Sequence, residues 1–243
     1  MKSFPLITAH TGCMGTPMNS LLSIETGISS GADIIEDDIQ VTRDGILVLS
    51  HDDTVHLANG TENRISGMTF NELSDGLSTP ISTLEQALEL LQNAGKMMNL
   101  DLKTDGAIVP LSDLIERLGL LDQVFLTGCQ YASALKVQMH NPRLNKLLNV
   151  DVRIFQTLSY VDAIRQTCEH AQSAGCIGLN VPYQLVQPLL LELSADYKLP
   201  VYLWTVNEEG LFRQFAEMGV RSITTKDVAA AIRVKQEVTG IGL

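Results

Sequence analysis

Two pairs of charged side chains lie inside apolar, β-like stretches of this sequence. Glu36 and Asp38 occur in IIEDDIQ, and Asp101 and Lys103 occur in MNLDLKT. Side chains two residues apart on a strand project to the same face, so the members of each pair should point together. Two neighbouring carboxylates need a cation or a proton to offset their repulsion. The spacing therefore indicates a polar site, most simply a site for a hard metal ion.

The phase of the second strand decides whether its acids face the interior. Ile34, Glu36 and Asp38 share one side, so the acids face the lumen of a barrel if Ile34 does. Asp37 would then face outward, where a helix side chain could pair with it. Buried like charges seldom persist without a cation, which favours metal ligation over solvent-facing acids on an edge strand. Asp101 would complete an oxygen-only set that suits Mg²⁺ or Ca²⁺ better than zinc.

Two histidines could supply acid–base chemistry beside these carboxylates. His10 ends the apolar run LITAH, and His51 ends ILVLSH. Imidazole titrates near neutral pH, and two such groups at strand ends favour catalysis over a purely structural role. His56 lies in a polar segment and could approach the site, whereas His140 and His170 are expected to be structural or solvated.

Two further residues have a functional and a plain interpretation. Lys103 could bind a substrate anion or form a salt bridge with a nearby carboxylate. Trp204 ends the run VYLWTV, where an indole can wall a substrate pocket or fill the mouth of a barrel.

Length and charge restrict the class of protein. The chain has 243 residues, a typical length for an eight-fold α/β barrel. Its formal net charge of −11 argues against nucleic acid or an anionic membrane as the main partner. A bound divalent cation would offset the repulsion that this charge imposes on an anionic substrate. Homo-oligomerisation stays open.

The cysteines and the first residues predict a cytoplasmic protein. No CxxC pair or metal-like cluster occurs, so the thiols are expected to stay reduced; these cysteines are Cys13, Cys129, Cys168 and Cys176. Cys13 follows His10 closely and could line the site, although a small loop residue is the plainer interpretation. The start MKSFPLITAH lacks the apolar core of a signal peptide, and no stretch is long enough for stable membrane insertion.

Apolar, β-branched runs alternate with helical patterns along the whole chain. About eight core strands, each followed by a helix, predict a single (β/α)₈ TIM-barrel domain over residues 1–243. An open doubly wound sheet is the alternative, but no GxGxxG follows the first strand. Residues 46–80 are expected to form a small inserted hairpin or loop segment after strand two. In such barrels reactive groups gather at the C-terminal rim, where the strand-end candidates would meet; these are His10, Glu36, Asp38, His51, Asp101 and Lys103.

Short motifs in fixed order resemble the glycerophosphodiester phosphodiesterase family almost end to end. That family has His-Arg-Gly, Pro-Glu-Asn-Thr, Glu-x-Asp and, after a TKDG-like turn, His-Asp. The corresponding stretches here are His10-Thr11-Gly12, Pro17-Met18-Asn19-Ser20, Glu36-Asp37-Asp38, Thr42-Arg43-Asp44-Gly45 and His51-Asp52. The likeness continues through Ile81-Ser82-Thr83-Leu84-Glu85, Leu100-Asp101-Leu102-Lys103 and Leu203-Trp204-Thr205-Val206-Asn207.

The resemblance implies a barrel, a divalent metal ion, and hydrolysis of a small phosphodiester to an alcohol and a phosphomonoester such as glycerol 3-phosphate. It assigns metal ligation to Glu36, Asp38 and Asp101, acid–base catalysis to His10 and His51, and phosphate neutralisation to Lys103. One histidine would deprotonate the nucleophile and the other would protonate the leaving alkoxide. Thr11 and Trp204 fall in the substrate-binding region by the same comparison.

Three positions depart from the family pattern. Thr11 replaces an arginine that contacts phosphate, a cation whose bidentate geometry threonine cannot reproduce. Met18 replaces a glutamate, and Asp101 is one methylene shorter than the usual glutamate. Arg64 or Arg153 could supply a replacement cation. A catalytically weak relative that binds a phosphorylated ligand, and a lyase that forms a cyclic phosphate, are the alternatives to a hydrolase.

Overall fold

A computed structural model describes residues 3–240, which form eight parallel strands in a nearly closed barrel with helices around it. The barrel strands are β1 (Leu6–Ala9), β2 (Ile34–Val41), β6 (Met97–Leu102), β7 (Val124–Thr127), β8 (Leu147–Asn149), β9 (Gly178–Pro182), β10 (Val201–Trp204) and β11 (Ser222–Thr225). Their order around the barrel is β7-β6-β2-β1-β11-β10-β9-β8. An isolated parallel bridge from Leu126 to Lys146 joins the two ends of this order. The predicted fold class is confirmed.

Helices cover the outside of the barrel and bury their apolar faces against the strands. They are α1 (Leu21–Ser29), α2 (Phe70–Gly76), α3 (Leu84–Ala94), α4 (Ile108–Leu118), α5 (Tyr131–His140), α6 (Val152–Thr157), α7 (Tyr160–Ser173), α8 (Pro188–Asp196), α9 (Glu209–Met218) and α10 (Val228–Thr239). Helix α3 shows how local sequence sets the bounds: Thr83 caps its first turn, and Gly95 ends it at a φ of 61°. Within residues 3–240, no helix has the length and apolar character needed to cross a membrane.

The segment predicted as an insertion has its own small structure. Strand β3 (Leu47–Leu49) pairs with β2 in antiparallel fashion, and β4 (Thr54–His56) and β5 (Glu62–Arg64) form a hairpin. A short apolar cluster of Val48, Ile65 and Leu73 holds the segment together. The insertion is thus more ordered than a bare loop, and β3 carries the chain to His51 beside the barrel mouth.

The lower part of the lumen is closed by apolar side chains. Ile34 on β2 packs with Phe125 on β7 and Leu147 on β8 inside the barrel. This placement confirms the phase expected from the sequence, because residues 36 and 38 must then face the lumen above this layer. Polar chemistry is thereby restricted to the C-terminal end of the barrel.

Candidate active site

Three carboxylates from two neighbouring strands meet at the C-terminal mouth of the barrel. Glu36 and Asp38 project from β2, and Asp101 projects from β6, where it lies opposite Asp38 in the register. One oxygen from each of the three lies within 4.8 Å of the others. Glu36 and Asp38 are buried, and Asp101 is half-buried. The structure therefore brings together the three predicted metal ligands.

This cluster has the properties of a divalent-cation site. Burial first, and then the charges of Asp38 and Asp101, raise the pKa of Glu36 well above its usual range. Asp101 Oδ1 is buried and has no hydrogen-bond partner. The space around this oxygen exists because residue 128 is a glycine with a φ of +71°. A Cβ at that position would collide with Asp101 Oδ1. An orphaned carboxylate oxygen among like charges fits an oxygen-liganded metal ion.

Lys103 partly neutralises the cluster from one side. Its Nζ lies 2.8 Å from Asp101 Oδ2 and 3.0 Å from Asp38 Oδ1. Burial alone would lower the pKa of Lys103, but the adjacent Asp101 and Asp38 carboxylates raise the pKa overall. The ammonium group is thus fixed between two carboxylates, which is the salt bridge that the sequence suggested as the plain interpretation. Lys103 nevertheless lines the cavity.

Asp37 faces away from the lumen, as expected, but its partner is not a helix side chain. Asn19, in the loop before α1, donates from Nδ2 to Asp37 Oδ1 at 2.7 Å and to Asp38 Oδ2 at 3.0 Å. Asn19 has a φ of 53°, a left-handed conformation that asparagine tolerates well. Burial raises the pKa of Asp37 to about 7, and the hydrogen bond from Asn19 opposes that rise. Asn19 therefore orients a ligand carboxylate from behind.

His10 presents one free ring nitrogen beside the carboxylates. Its Nδ1 donates to the Thr11 carbonyl oxygen at 2.8 Å, which leaves Nε2 unprotonated in the neutral ring. Burial is the main cause that lowers the pKa of His10, and the charge of Lys226 lowers it further. A histidine that stays neutral near pH 7 with a free Nε2 can accept a proton.

His51 also lies at the barrel mouth and is more exposed than His10. Its Nδ1 is 2.8 Å from Asp52 Oδ1, which fixes the ring and leaves Nε2 free. Both His10 and His51 line the same cavity as the carboxylates. The two imidazoles thus have different surroundings, one desolvated and one solvated beside a carboxylate.

Thr11 lies behind the site rather than in its lining. Its backbone amide donates to Glu36 Oε2 at 3.0 Å, and its buried hydroxyl accepts from the Asn19 amide at 2.7 Å. Contact of Thr11 with phosphate stays a prediction, whereas its hydrogen bonds in this structure are with the protein itself. Thr11 fixes the Glu36 carboxylate and the loop that carries Asn19.

A cavity of about 430 Å³ extends from the carboxylates across the barrel mouth. Trp204, 38% exposed at the end of β10, forms part of its wall. Neutral polar side chains that the sequence interpretation did not single out cover the floor; they are Asn99, Thr127, Asn149, Asn180 and Thr224. Thr127 donates to Asn99 at 2.7 Å, and Asn180 donates to Asn149 at 3.0 Å. Of these residues, Asn149 ends β8 in the run LLN, and that position was the signal available in the sequence.

The remaining candidates do not line this cavity. Arg64 lies on the hairpin strand β5, and Arg153 forms an ion pair with Asp151 at 2.8 Å. His170 stacks on Tyr131 with ring centroids 4.0 Å apart. Outside the lining there remain also His56 on β4, His140 at the end of α5, and the buried Cys13. Neither arginine is therefore placed to replace the family arginine.

Comparison with known proteins agrees with this geometry. The sequence profile of the glycerophosphoryl diester phosphodiesterase family matches residues 10–230. A glycerophosphodiester phosphodiesterase from Bacillus altitudinis is 26% identical over 95% of this chain and 98% of its own length. One from Caldanaerobacter subterraneus is 24% identical over 94% of this chain and 97% of its own length.

Solved structures share the fold at lower identity. A glycerophosphoryl diester phosphodiesterase structure from Agrobacterium tumefaciens, described as putative, superposes with a TM-score of 0.83 at 17% identity, covering 98% of this chain and 100% of its own. A phosphodiesterase from Oleispira antarctica, in complex with its product sn-glycerol-3-phosphate, gives 0.78 at 19% identity, covering 95% and 96%. Since the family profile spans most of the sequence, including both histidines and all three carboxylates, the chain belongs to the glycerophosphoryl diester phosphodiesterase family of phosphoric diester hydrolases.

Proposed function

We propose that this protein is a metal-dependent phosphodiesterase that hydrolyses glycerophosphodiesters, or a related small diester, to an alcohol and a phosphomonoester such as glycerol 3-phosphate. The observation that carries the proposal is the convergence of Glu36, Asp38 and Asp101 on one wall of a cavity that both His10 and His51 also line. A carboxylate cluster with a purely structural role would not require two imidazoles, each with a free Nε2, in the lining of the same cavity.

The two histidines divide the proton transfers according to their surroundings. His10 is the general base, because burial lowers its pKa and its Nδ1 is committed to a carbonyl oxygen. It accepts a proton from the nucleophile, which is water or a hydroxyl of the substrate. His51 is the general acid, because it lines the same cavity and its Nδ1 is held by Asp52 Oδ1, which leaves Nε2 to face the leaving group. It donates a proton to the leaving alkoxide.

The carboxylates supply the ligands for the ion. Glu36, Asp38 and Asp101 would hold Mg²⁺ or Ca²⁺, which would polarise a phosphoryl oxygen and stabilise negative charge that develops on it. Lys103 contacts Asp38 Oδ1 and Asp101 Oδ2, and Asn19 donates to Asp38 Oδ2. These contacts keep the ligand oxygens in place before the substrate arrives.

The cavity floor suits a substrate that carries hydroxyl groups. Amide and hydroxyl side chains offer donors and acceptors together, which matches alcohols better than a quaternary ammonium group. A quaternary ammonium would favour several aromatic faces, and Trp204 is the one aromatic side chain in the described lining. Location in the cytoplasm and assembly into homo-oligomers stay predictions from the sequence.

The test is a screen of glycerophosphodiesters with Mg²⁺, Ca²⁺ or Mn²⁺ and with a chelator, followed by phosphorus NMR. We expect a phosphomonoester, formed only with a divalent ion and lost in Glu36→Gln and His10→Ala. Glu89→Gln is a matched control, since Glu89 is exposed on α3 outside the site. A cyclic phosphate product would show that the protein is a lyase and would overturn hydrolysis as its reaction. Undiminished product with chelator, or no product with any diester and ion, would refute the proposal.

A further inference from the structure

Two lysines lie in or near the carboxylate cavity: Lys103, which is paired with carboxylates, and Lys226, which has no role so far. Lys103 is held by Asp101 and Asp38, so its charge is largely used by the metal-ligand cluster. Arg64 and Arg153 lie elsewhere. A dianionic phosphate product still requires compensation on the side of the mouth where His10 lies, and Thr11 provides no charge there.

Lys226 lies on that side because of strand register. Strands β11 and β1 are paired with Thr225 opposite Ala9, and the His10 amide donates to the Thr225 carbonyl oxygen at 2.9 Å. Lys226 is thus the next residue after Thr225, as His10 is after Ala9. The Lys226 carbonyl oxygen accepts from the Met14 amide at 2.8 Å. Hydrogen bonds from residues 10 and 14 therefore fix the backbone of residues 225 and 226 against the loop after β1.

Lys226 does not itself line the cavity, but its ammonium group contacts a residue that does, and it has no carboxylate partner among residues 3–240. Its Nζ is 4.0 Å from Sδ of Met18, and Met18 lines the cavity. In the part of the chain that the structure describes, Lys226 forms no ion pair. A thioether cannot neutralise an ammonium, so the charge stays available.

We propose that Lys226 is the residue that contacts the phosphoryl oxygens of substrate and product, held at the mouth by Met18 beside His10. The inference rests on the proposed phosphodiesterase activity and adds a residue to that site. Two departures from the family pattern lie in the loop that this lysine contacts: a threonine where an arginine is expected, and a methionine where a glutamate is expected. The lysine acts as a point charge, without the bidentate geometry of arginine.

The test compares Lys226→Met and Lys226→Arg with Lys96→Met. Lys96 precedes β6 at the opposite end of the barrel, so the control removes the same charge far from the site. At fixed Mg²⁺ concentration, titration calorimetry would measure the dissociation constant of glycerol 3-phosphate, and kinetics would give kcat/KM for a glycerophosphodiester. We expect Lys226→Met to weaken product binding by about tenfold or more, the size of a lost charge-assisted hydrogen bond. Lys226→Arg should restore most of it, and Lys96→Met should match the wild type.

The outcomes separate this inference from the proposed function. Unchanged product affinity and unchanged kcat/KM in Lys226→Met would overturn the role of Lys226 and leave the phosphodiesterase intact. A wild type that cleaves no diester, but binds glycerol 3-phosphate through Lys226, would support Lys226 and overturn the proposed activity. A wild type that neither cleaves nor binds would overturn both. Thermal unfolding of each variant verifies that the half-buried Lys226 position tolerates the change.

Discussion

Glu36→Gln should change thermal stability in opposite directions with and without a divalent ion. In the absence of metal, Glu36 is buried beside Asp38 and Asp101, with one oxygen of each within 4.8 Å. Two unit charges at this distance repel by about 3 kcal/mol at an effective dielectric constant near 20. The amide keeps the shape of the side chain and removes its repulsion with both neighbours.

The gain in the metal-free protein is limited by proton uptake and by Lys103. Because the pKa of Glu36 is raised well above its usual range, the wild-type carboxyl relieves part of the repulsion by binding a proton. Lys103 already offsets part of the charge on Asp38 and Asp101. We therefore expect a net stabilisation of about 1–3 kcal/mol, which raises Tm by roughly 2–12 °C for a chain of this size.

Saturating metal should reverse the order of the two proteins. An ion at about 1,000 times its dissociation constant adds about 4.1 kcal/mol to the stability of the wild type, which exceeds the gain expected for the variant without metal. Glu36→Gln lacks one of three carboxylate ligands and should gain little. Thermal unfolding by circular dichroism in chelator and in Mg²⁺ or Ca²⁺ measures both effects, with Glu89→Gln as the control. A variant that is less stable than wild type in chelator, or equally stabilised by metal, would refute the account of the site.

Three further changes test the surroundings of the site by denaturant unfolding. Gly128→Ala should cost more than about 3 kcal/mol, because a Cβ at a φ of +71° meets Asp101 Oδ1; a mild effect would mean that Asp101 can move freely. Asn19→Ala should cost roughly 2 kcal/mol and weaken metal binding, because Asp38 loses a donor; unchanged metal affinity would contradict its positioning role. Lys146 is fully buried with its Nζ 2.7 Å from Gln138 Oε1, and burial lowers its pKa. The folded protein therefore binds fewer protons than the unfolded chain below pH 10.5, so the stability advantage of Lys146→Met should grow as pH falls from there towards the folded pKa; a pH-independent difference would exclude this linkage.

Much of the site could be predicted from strand-local pattern. Side chains two apart on a strand share a face, so IIEDDIQ and MNLDLK specify that Glu36 and Asp38 project together and that Asp101 does so with Lys103. The alternation of eight strands with helices predicts the barrel, and the barrel places strand ends at one rim. The structure agrees on each of these points because they depend on periodicity and chain order alone.

Contacts between loops and strands far apart in sequence were not accessible in this way. Asn19 bridges Asp37 and Asp38 from a loop, whereas the pattern predicted a helix partner for Asp37. Arginines were the expected replacement cations, whereas the structure places Lys226 next to His10 in the barrel register, because β11 closes the barrel against β1.

The sequence by itself determined the residue types, their strand phase and the sequential order of the motifs, since these follow from covalent connectivity and backbone geometry. Tertiary structure alone decided which oxygens stay unpaired, which histidine is desolvated, and that residues 10 and 226 become neighbours. These properties depend on barrel closure, which brings together side chains more than 200 positions apart and removes water from some of them but not others.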